Sequence, residues 1–384
     1  MISMKKESAQ KKQRLSGIEL LKIVGILLVI VSHVVETLNN PNPYISYQDY
    51  IVPLGHATKS VSKLLLALLR YCGDFGNMIF FACSAWFLLD SQKVNKKKIL
   101  QMILDVWMIS FCFVVVIVWL RHGNVSKGLL LKQFFPILFE NNWYITCYIL
   151  FYAIHPFLNW ILEKMDQKLL LKTDLILMIL YGGINYVHHT HYFANALIYW
   201  IVIYFVIAYV KRYLTTMQND KKKNIKLFLF GLICHCLVVI LTNFFGLHIG
   251  AFENKVMKWQ SYCSPFILCQ VIGLLNLARN EKFVSKFVNT VSSLSLFVYV
   301  IHENMLLRTY YRPLWWHMIY NTFGYRYILL WVLLMVLVLA VVSMLLAWFY
   351  KISLQHVTTK MCGVMYQKLG SAYHKIESKL IKYQ

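Results

Sequence analysis

The chain has 384 residues, 59% of them hydrophobic and 14% charged, and its 39 Lys and Arg against 16 Asp and Glu give a formal net charge of +23. A soluble domain carries about 25% charged residues, so the composition excludes an ordinary globular domain and marks an integral membrane protein. A basic excess on such a chain belongs to the loops that set its orientation. No groove-reading module accompanies it, which argues against nucleic acid as a partner.

The first 15 residues form a basic, polar segment. The apolar run that follows is too long for a signal h-region and lacks a small-residue cleavage site, so it is expected to be an uncleaved first span. This run, from Ser16 to Leu38, is about one bilayer thickness long. Four ionisable residues interrupt it: Glu19, Lys22, His33 and Glu36. Lys22 and His33 are eleven positions apart, about three helical turns and ~16 Å of rise. The two glutamates lie three positions outside them, so all four share one stripe of the helix. Two readings are open at this point. Either the four are ordinary ends snorkelling to the two surfaces, or the stripe lines an interior cavity in which His33 does proton chemistry near neutral pH.

Apolar runs of spanning length recur at about 17–38, 62–89, 99–120, 143–162, 172–187, 192–210, 227–246, 261–278, 289–303 and 327–350. With the N-terminus inside, every inner loop is rich in Lys and Arg and the outer loops are poor in them. The expected fold is therefore all-α: about ten transmembrane helices, both ends cytoplasmic, as one membrane domain over 16–350. Aromatic residues near the outer boundary (Trp143, Tyr144, Tyr310, Tyr311, Trp315, Trp316) read as an interfacial belt. Residues 351–384 form a basic amphipathic tail, expected to lie along anionic headgroups.

Polar groups at membrane depth mark where chemistry is affordable. In the second span Asp74 and Asn77 need partners, and so does Asp105 in the third. The fourth begins with Trp143 and Tyr144 and contains His155-Pro156, where the proline either kinks the helix or marks its end. The ninth ends in His302-Glu303-Asn304; on a continuous helix His302 and Glu303 would diverge by ~100° and not face one point. His155 and His235 are expected to be hydrogen-bonded interior residues. His188, His189 and His191 cluster without an acidic neighbour, which argues against a metal site. The nine cysteines are odd in number and show no Cys-x-x-Cys spacing, so no disulfide framework or zinc site is expected. No phosphate-binding glycine loop, nucleophile elbow or His-Glu-x-x-His motif is present.

Taken in order, several short segments resemble membrane acyltransferase family 3, whose bacterial members O-acylate surface polysaccharides. Gly17-Ile18-Glu19-Leu20-Leu21-Lys22, with ten residues to His33, is similar to that family's Arg-x10-His element. Phe80-Phe81-Ala82-Cys83-Ser84-Ala85-Trp86-Phe87 is similar to its Phe-Phe-x-x-Ser-Gly segment. Phe135-Pro136, Trp143-Tyr144-Ile145, Tyr148 and Pro156-Phe157-Leu158-Asn159 follow as in its middle span. Val298-Tyr299-Val300-Ile301-His302-Glu303-Asn304 resembles its late Tyr-Leu-Ile-His stretch. The sequence departs from the pattern at Lys22, where Arg is usual, at Ala85, where Gly is usual, and in a basic stretch built of Lys96, Lys97 and Lys98. Lysine offers phosphate a point charge rather than a bidentate fork.

The resemblance implies a multi-pass enzyme of the bacterial plasma membrane. It would transfer an acyl group, acetyl first among them, from cytoplasmic acetyl-CoA or another acyl-CoA to a hydroxyl of a polysaccharide or lipid-linked glycan, with no metal. Lys22, held by Glu19 and assisted by Lys96, Lys97 and Lys98, would attract the donor. His33 would be the general base, its ring oriented by Glu36. Asp74, Ser84, Trp143, Tyr144, His302 and Glu303 would contact the acceptor or support the site. A transporter or flippase of a glycan intermediate, or a non-catalytic scaffold of an envelope-assembly complex, are the alternatives from other classes.

Overall fold

The computed structural model describes residues 15–38, 53–188 and 195–381, with side chains to residue 371. Among these residues helix is the only regular structure. The long helices in chain order are α1 (Ser16–Thr37), α2 (Val61–Leu88), α3 (Lys96–Leu120), α4 (Trp143–Glu163), α5 (Gln167–His188), α6 (Ala196–Tyr213), α7 (Lys221–His248) and α8 (Pro265–Asn280). They are followed by α9, in three pieces (Lys286–Ser292, Ser295–His302 and Met305–Tyr310) with a 40° bend after the first, and by α10 (Ile328–Ser353). Among the described residues eight helices are long and apolar enough to cross a membrane, or nine with the bent α9 as one span. The expected eighth span, 261–278, is realised as α8, a helix of only 16 residues that starts at Pro265. The structure is a multi-pass helical membrane protein.

The starts of these helices follow from local chemistry. Ser60, Asn95, Asp166, Asn195, Asp220 and Ser264 each cap a helix by accepting a hydrogen bond from the backbone N–H three residues on. Such a cap satisfies a donor that the helix itself cannot. The lysine-rich ends then lie together. Ser16 N–H donates to the Phe283 carbonyl at 2.9 Å, Lys211 pairs with Asp90 at 2.7 Å, and the Arg212 guanidinium donates to the Leu162 carbonyl at 2.7 Å.

Helix α1 is the central rod, packed against α2, α8, α9 and α10. Its contact with α2 depends on absent side chains: a Cβ on Gly76 would stand 2.5 Å from the Gly25 carbonyl oxygen. Small residues permit this approach, and in lipid close packing replaces hydrophobic exclusion as the cohesive force. Outer faces carry bare apolar side chains, such as Leu330, Leu333 and Leu337 on α10.

Several expectations are settled here. Pro156 neither ends nor breaks α4, which runs through it to Glu163. The aromatic belt is only partly a belt. Trp316 is fully buried and donates its indole N–H to the Val34 carbonyl at 3.3 Å, and Tyr310 is buried too. Asp105 finds its partners in Gln101 (2.9 Å), Tyr350 (2.7 Å) and Thr358 (2.6 Å). Thr358 belongs to the tail helix Gln355–Ile381, so the first turns of that helix dock on α3.

Candidate active site

The polar stripe of α1 faces the interior. Near its start, the Lys22 ammonium meets the Glu19 carboxylate at 3.3 Å, and the Ser292 hydroxyl donates to the other oxygen of Glu19 at 2.5 Å. Lys22 borders a cavity of about 210 Å³, together with Lys98, Ser84, Tyr148, Tyr144 and Tyr299. Three turns further along, His33 and Glu36 border a second cavity of about 340 Å³, with Arg70, Asp74, Trp143, Tyr262 and Glu303 among its other walls. Asn77 of α2 lines both.

The ring of His33 is held by two residues from the end of α9's second piece. Its Nδ1 lies 3.1 Å from Nε2 of His302 and 3.1 Å from Oε1 of Glu303. His302 in turn places Nδ1 2.8 Å from the Val298 carbonyl, which only accepts. That nitrogen therefore carries the proton, and His302 Nε2 is an acceptor. Both neighbours of His33 Nδ1 are acceptors, so Nδ1 carries the proton of the neutral ring. His33 Nε2 is left with its lone pair, which is what a general base requires.

Here the sequence reading needs two corrections. Glu36 does not orient His33; its Oε1 is engaged by Arg308 at 3.2 Å and Arg70 at 3.4 Å. Glu303 occupies the place given to Glu36. The argument that His302 and Glu303 diverge presumed a continuous helix. The helix stops at His302, Glu303 is its C-cap, and Asn304 caps the next turn by accepting from the Leu306 N–H at 3.1 Å. This turn swings the Glu303 carboxylate back beside the His302 ring.

Three arginines complete the arrangement. Arg312, only 1% exposed, donates to Glu303 Oε1 at 2.9 Å and also to the His302 carbonyl. Arg308 donates to Glu303 Oε2 at 3.2 Å and, through its other nitrogen, to Glu36. Arg70 donates to the Ser32 hydroxyl at 2.6 Å, and that hydroxyl donates to the Arg70 carbonyl at 2.7 Å. The chain of contacts thus leaves α1 at His33 and returns to it at Glu36 and Ser32. Sequence reasoning missed Arg70 and Arg312. The available signal was the choice of arginine, the residue suited to buried carboxylate pairs, in a chain whose basic loops are mostly lysine.

A family model described as an acyltransferase domain matches residues 15–349. The chain belongs to acyltransferase family 3. No curated protein and no solved structure matches it.

The match begins at the residue before α1 and reaches the last turns of α10, so both cavities lie wholly within the acyltransferase domain. The protein is a membrane acyltransferase. Of the residues singled out from sequence in this family 3 chain, Lys22, Lys98, Ser84 and Tyr144 border the first cavity. His33, Glu36, Asp74, Trp143 and Glu303 border the second, and His302 lies fully buried behind His33. Asp74 keeps one buried oxygen, Oδ2, without a hydrogen-bond partner. Lys96 and Lys97 are exposed and do not border either cavity.

The other histidines divide. His155 is fully buried and places Nδ1 2.6 Å from the Tyr152 carbonyl, as an interior histidine should. His235 is also buried, but neither of its ring nitrogens has a hydrogen-bond partner, contrary to expectation. His188 ends α5, whereas His189 and His191 lie outside the described residues.

Among the described residues, one group has the donor spacing of a metal site: His33, His302 and Glu303, with ligand atoms within 4.8 Å of one another. Both oxygens of Glu303 already accept from guanidinium groups, and two such cations would repel a divalent ion. The arrangement fits a hydrogen-bonded base better than a metal centre.

Proposed function

We propose that this acyltransferase moves an acyl group, acetyl in the first instance, from cytoplasmic acyl-CoA to a hydroxyl of a cell-envelope or exported glycan. The observation that carries the reading is the division of one face of α1 between two cavities, Lys22 in one and His33 in the other, with Asn77 bordering both. Lys22 and Lys98 stand at the lysine-rich end, where the positive-inside rule puts the cytoplasm. They suit the phosphates of a nucleotide-bearing donor as point charges. About 16 Å of helix separates Lys22 from His33, about the length of an extended pantetheine arm. A thioester reaching along α1 would arrive beside His33.

The second cavity suits a sugar. Trp143 and Tyr262 stand with ring centroids 5.4 Å apart in its wall, and Asp74, Gln260 and Asn185 add polar side chains. Aromatic surface beside a few placed polar groups is the usual make-up of a small-molecule site.

In the reaction, His33 Nε2 takes the proton of the acceptor hydroxyl as its oxygen attacks the thioester carbonyl. The new ester bond forms, the carbon–sulfur bond breaks, and the thiolate of CoA leaves. Glu303 and His302 keep the ring in the tautomer that leaves Nε2 free, and the imidazolium formed in the step is stabilised by the Glu303 carboxylate. Lys22, Lys98 and Glu19 bind rather than react.

The test uses radiolabelled acetyl-CoA with membranes that contain the protein and envelope glycans, scored by label made alkali-labile in the glycan fraction. His33→Gln is expected to abolish incorporation while the protein remains in the membrane. Lys22→Met is expected to raise KM for acetyl-CoA more than it lowers kcat. Undiminished incorporation in His33→Gln overturns the reading.

A further inference from the structure

The face of α1 opposite to His33 borders a third cavity, of about 580 Å³, which falls within the roughly 300–1,000 Å³ of ligand sites. Leu28 and Val31 of α1 form its back wall, and Leu69, Phe75, Val332 and Val336 its sides. Its rim consists of Leu65, Leu232 and Leu333, which are 41%, 38% and 65% exposed on the outward faces of spanning helices. The cavity therefore opens sideways, where the surrounding solvent is lipid.

One wall group is out of place in an apolar pocket. His235 of α7 is 6% exposed, borders the cavity, and has no hydrogen-bond partner at either ring nitrogen. Its ring packs edge-on against Tyr71, with centroids 4.6 Å apart. Tyr71 follows Arg70, so His235 lies near the level of the Arg70–Glu36 pair rather than among the lysine-rich ends. A buried imidazole in lipid has no water to satisfy it, and leaving it unpaired carries its full desolvation penalty. Hydrocarbon alone fills the Leu and Val walls but leaves this group orphaned.

We propose that this lateral cavity binds one molecule of bilayer glycerolipid, with an acyl chain against α1 and an ester carbonyl accepting a hydrogen bond from the His235 ring. The commitment to lipid rests on continuity: the rim residues belong to the same exposed apolar surface that the bilayer covers. The commitment to an ester-bearing lipid rests on His235, which needs an oxygen acceptor at that depth. Gln270, also in the wall on α8, donates its side-chain amide to the Phe266 carbonyl at 3.3 Å, which leaves His235 as the wall group without a partner.

The experiment places the full-length protein in nanodiscs of dioleoylphosphatidylglycerol doped with phosphatidylglycerol carrying a diazirine on one acyl chain. After illumination, labelled peptides are mapped by mass spectrometry. Label is expected to concentrate on the cavity walls of α1, α2, α7 and α10. Leu232→Trp and Leu333→Trp, which fill the mouth, are each expected to lower that yield several-fold. Leu333 is an exposed rim residue, so its variant keeps the fold, which the thermal melting curve checks. A dialkyl ether analogue lacks the ester carbonyl and is expected to label several-fold less than the diester lipid in the unmodified protein. His235→Phe is expected to erase that preference. Even labelling of the whole lipid-facing surface, indifferent to both tryptophan variants, overturns the site. Equal labelling by ester and ether lipids in the unmodified protein overturns the role of His235.

Discussion

Nδ1 of His33 stands 3.1 Å from Oε1 of Glu303, which joins the far turn of α1 to the point where the second piece of α9 stops. The carboxylate can be there only because the helix ends one residue earlier. Glu303→Gln keeps the size of the side chain but removes the charge that balances an imidazolium. It is expected to lower kcat by a large part of the ~10²–10⁴-fold that a positioned general base contributes. KM for the acyl donor should stay unchanged, since the cations proposed to hold it, Lys22 and Lys98, lie at the other end of α1. Steady-state kinetics on purified protein check this.

Arg312 touches neither cavity and holds Glu303 and the His302 carbonyl from behind. Arg312→Met would leave a buried carboxylate with one guanidinium instead of two. Removing one partner of a buried pair costs about 3–5 kcal/mol, so a clear fall in melting temperature in detergent is expected. Arg312→Lys restores the charge but not the two-pronged geometry. Its expected outcome is a near-normal melting temperature with a reduced kcat.

Gly25 of α1 and Gly76 of α2 let the two helices pack backbone against backbone. Gly76→Ala would drive a methyl group against backbone, and forcing extra volume into a packed interior costs about 1–3 kcal/mol. A lower melting temperature is expected. Activity should fall as well, because both cavities are bounded by these two helices. Melting and transfer assays on the same preparation check both.

Asp105 accepts from Tyr350 and Thr358 and so ties α3 to α10 and to the tail helix. Asp105→Ala takes the carboxylate from the buried Tyr350 hydroxyl, at about 1–3 kcal/mol for an unsatisfied buried group, and leaves Thr358 the Gln355 carbonyl of its own helix at 2.9 Å. Release of the tail is expected. It is read as faster tryptic cleavage at Lys360 and Lys368, with transfer activity largely retained.

Much of this was legible in the sequence, for identifiable reasons. Long apolar runs and lysine-rich loops announce spanning helices, because lipid admits little else. The spacing of Lys22 and His33 placed both on one interior face, because helical geometry is rigid over three turns. Partners from other helices were not legible. Glu36 stood at the right spacing from His33 to orient it, yet Glu303 does so, because the stop at His302 depends on capping by Asn304 and not on apolar periodicity. Arg70 and Arg312 escaped notice because an ion pair formed across the fold leaves no local pattern. The interior placement of Trp316 was likewise hidden, since a tryptophan near a boundary looks the same whether it faces headgroups or a backbone carbonyl.

Asn77 borders the cavity of Lys22 and also that of His33. This one side chain is wall to both hollows. An acyl group carried along α1 as proposed would have to pass between these hollows without opening a path for ions. Small substitutions at this amide would then surface first as proton leak and a collapsed membrane potential, well before any loss of turnover.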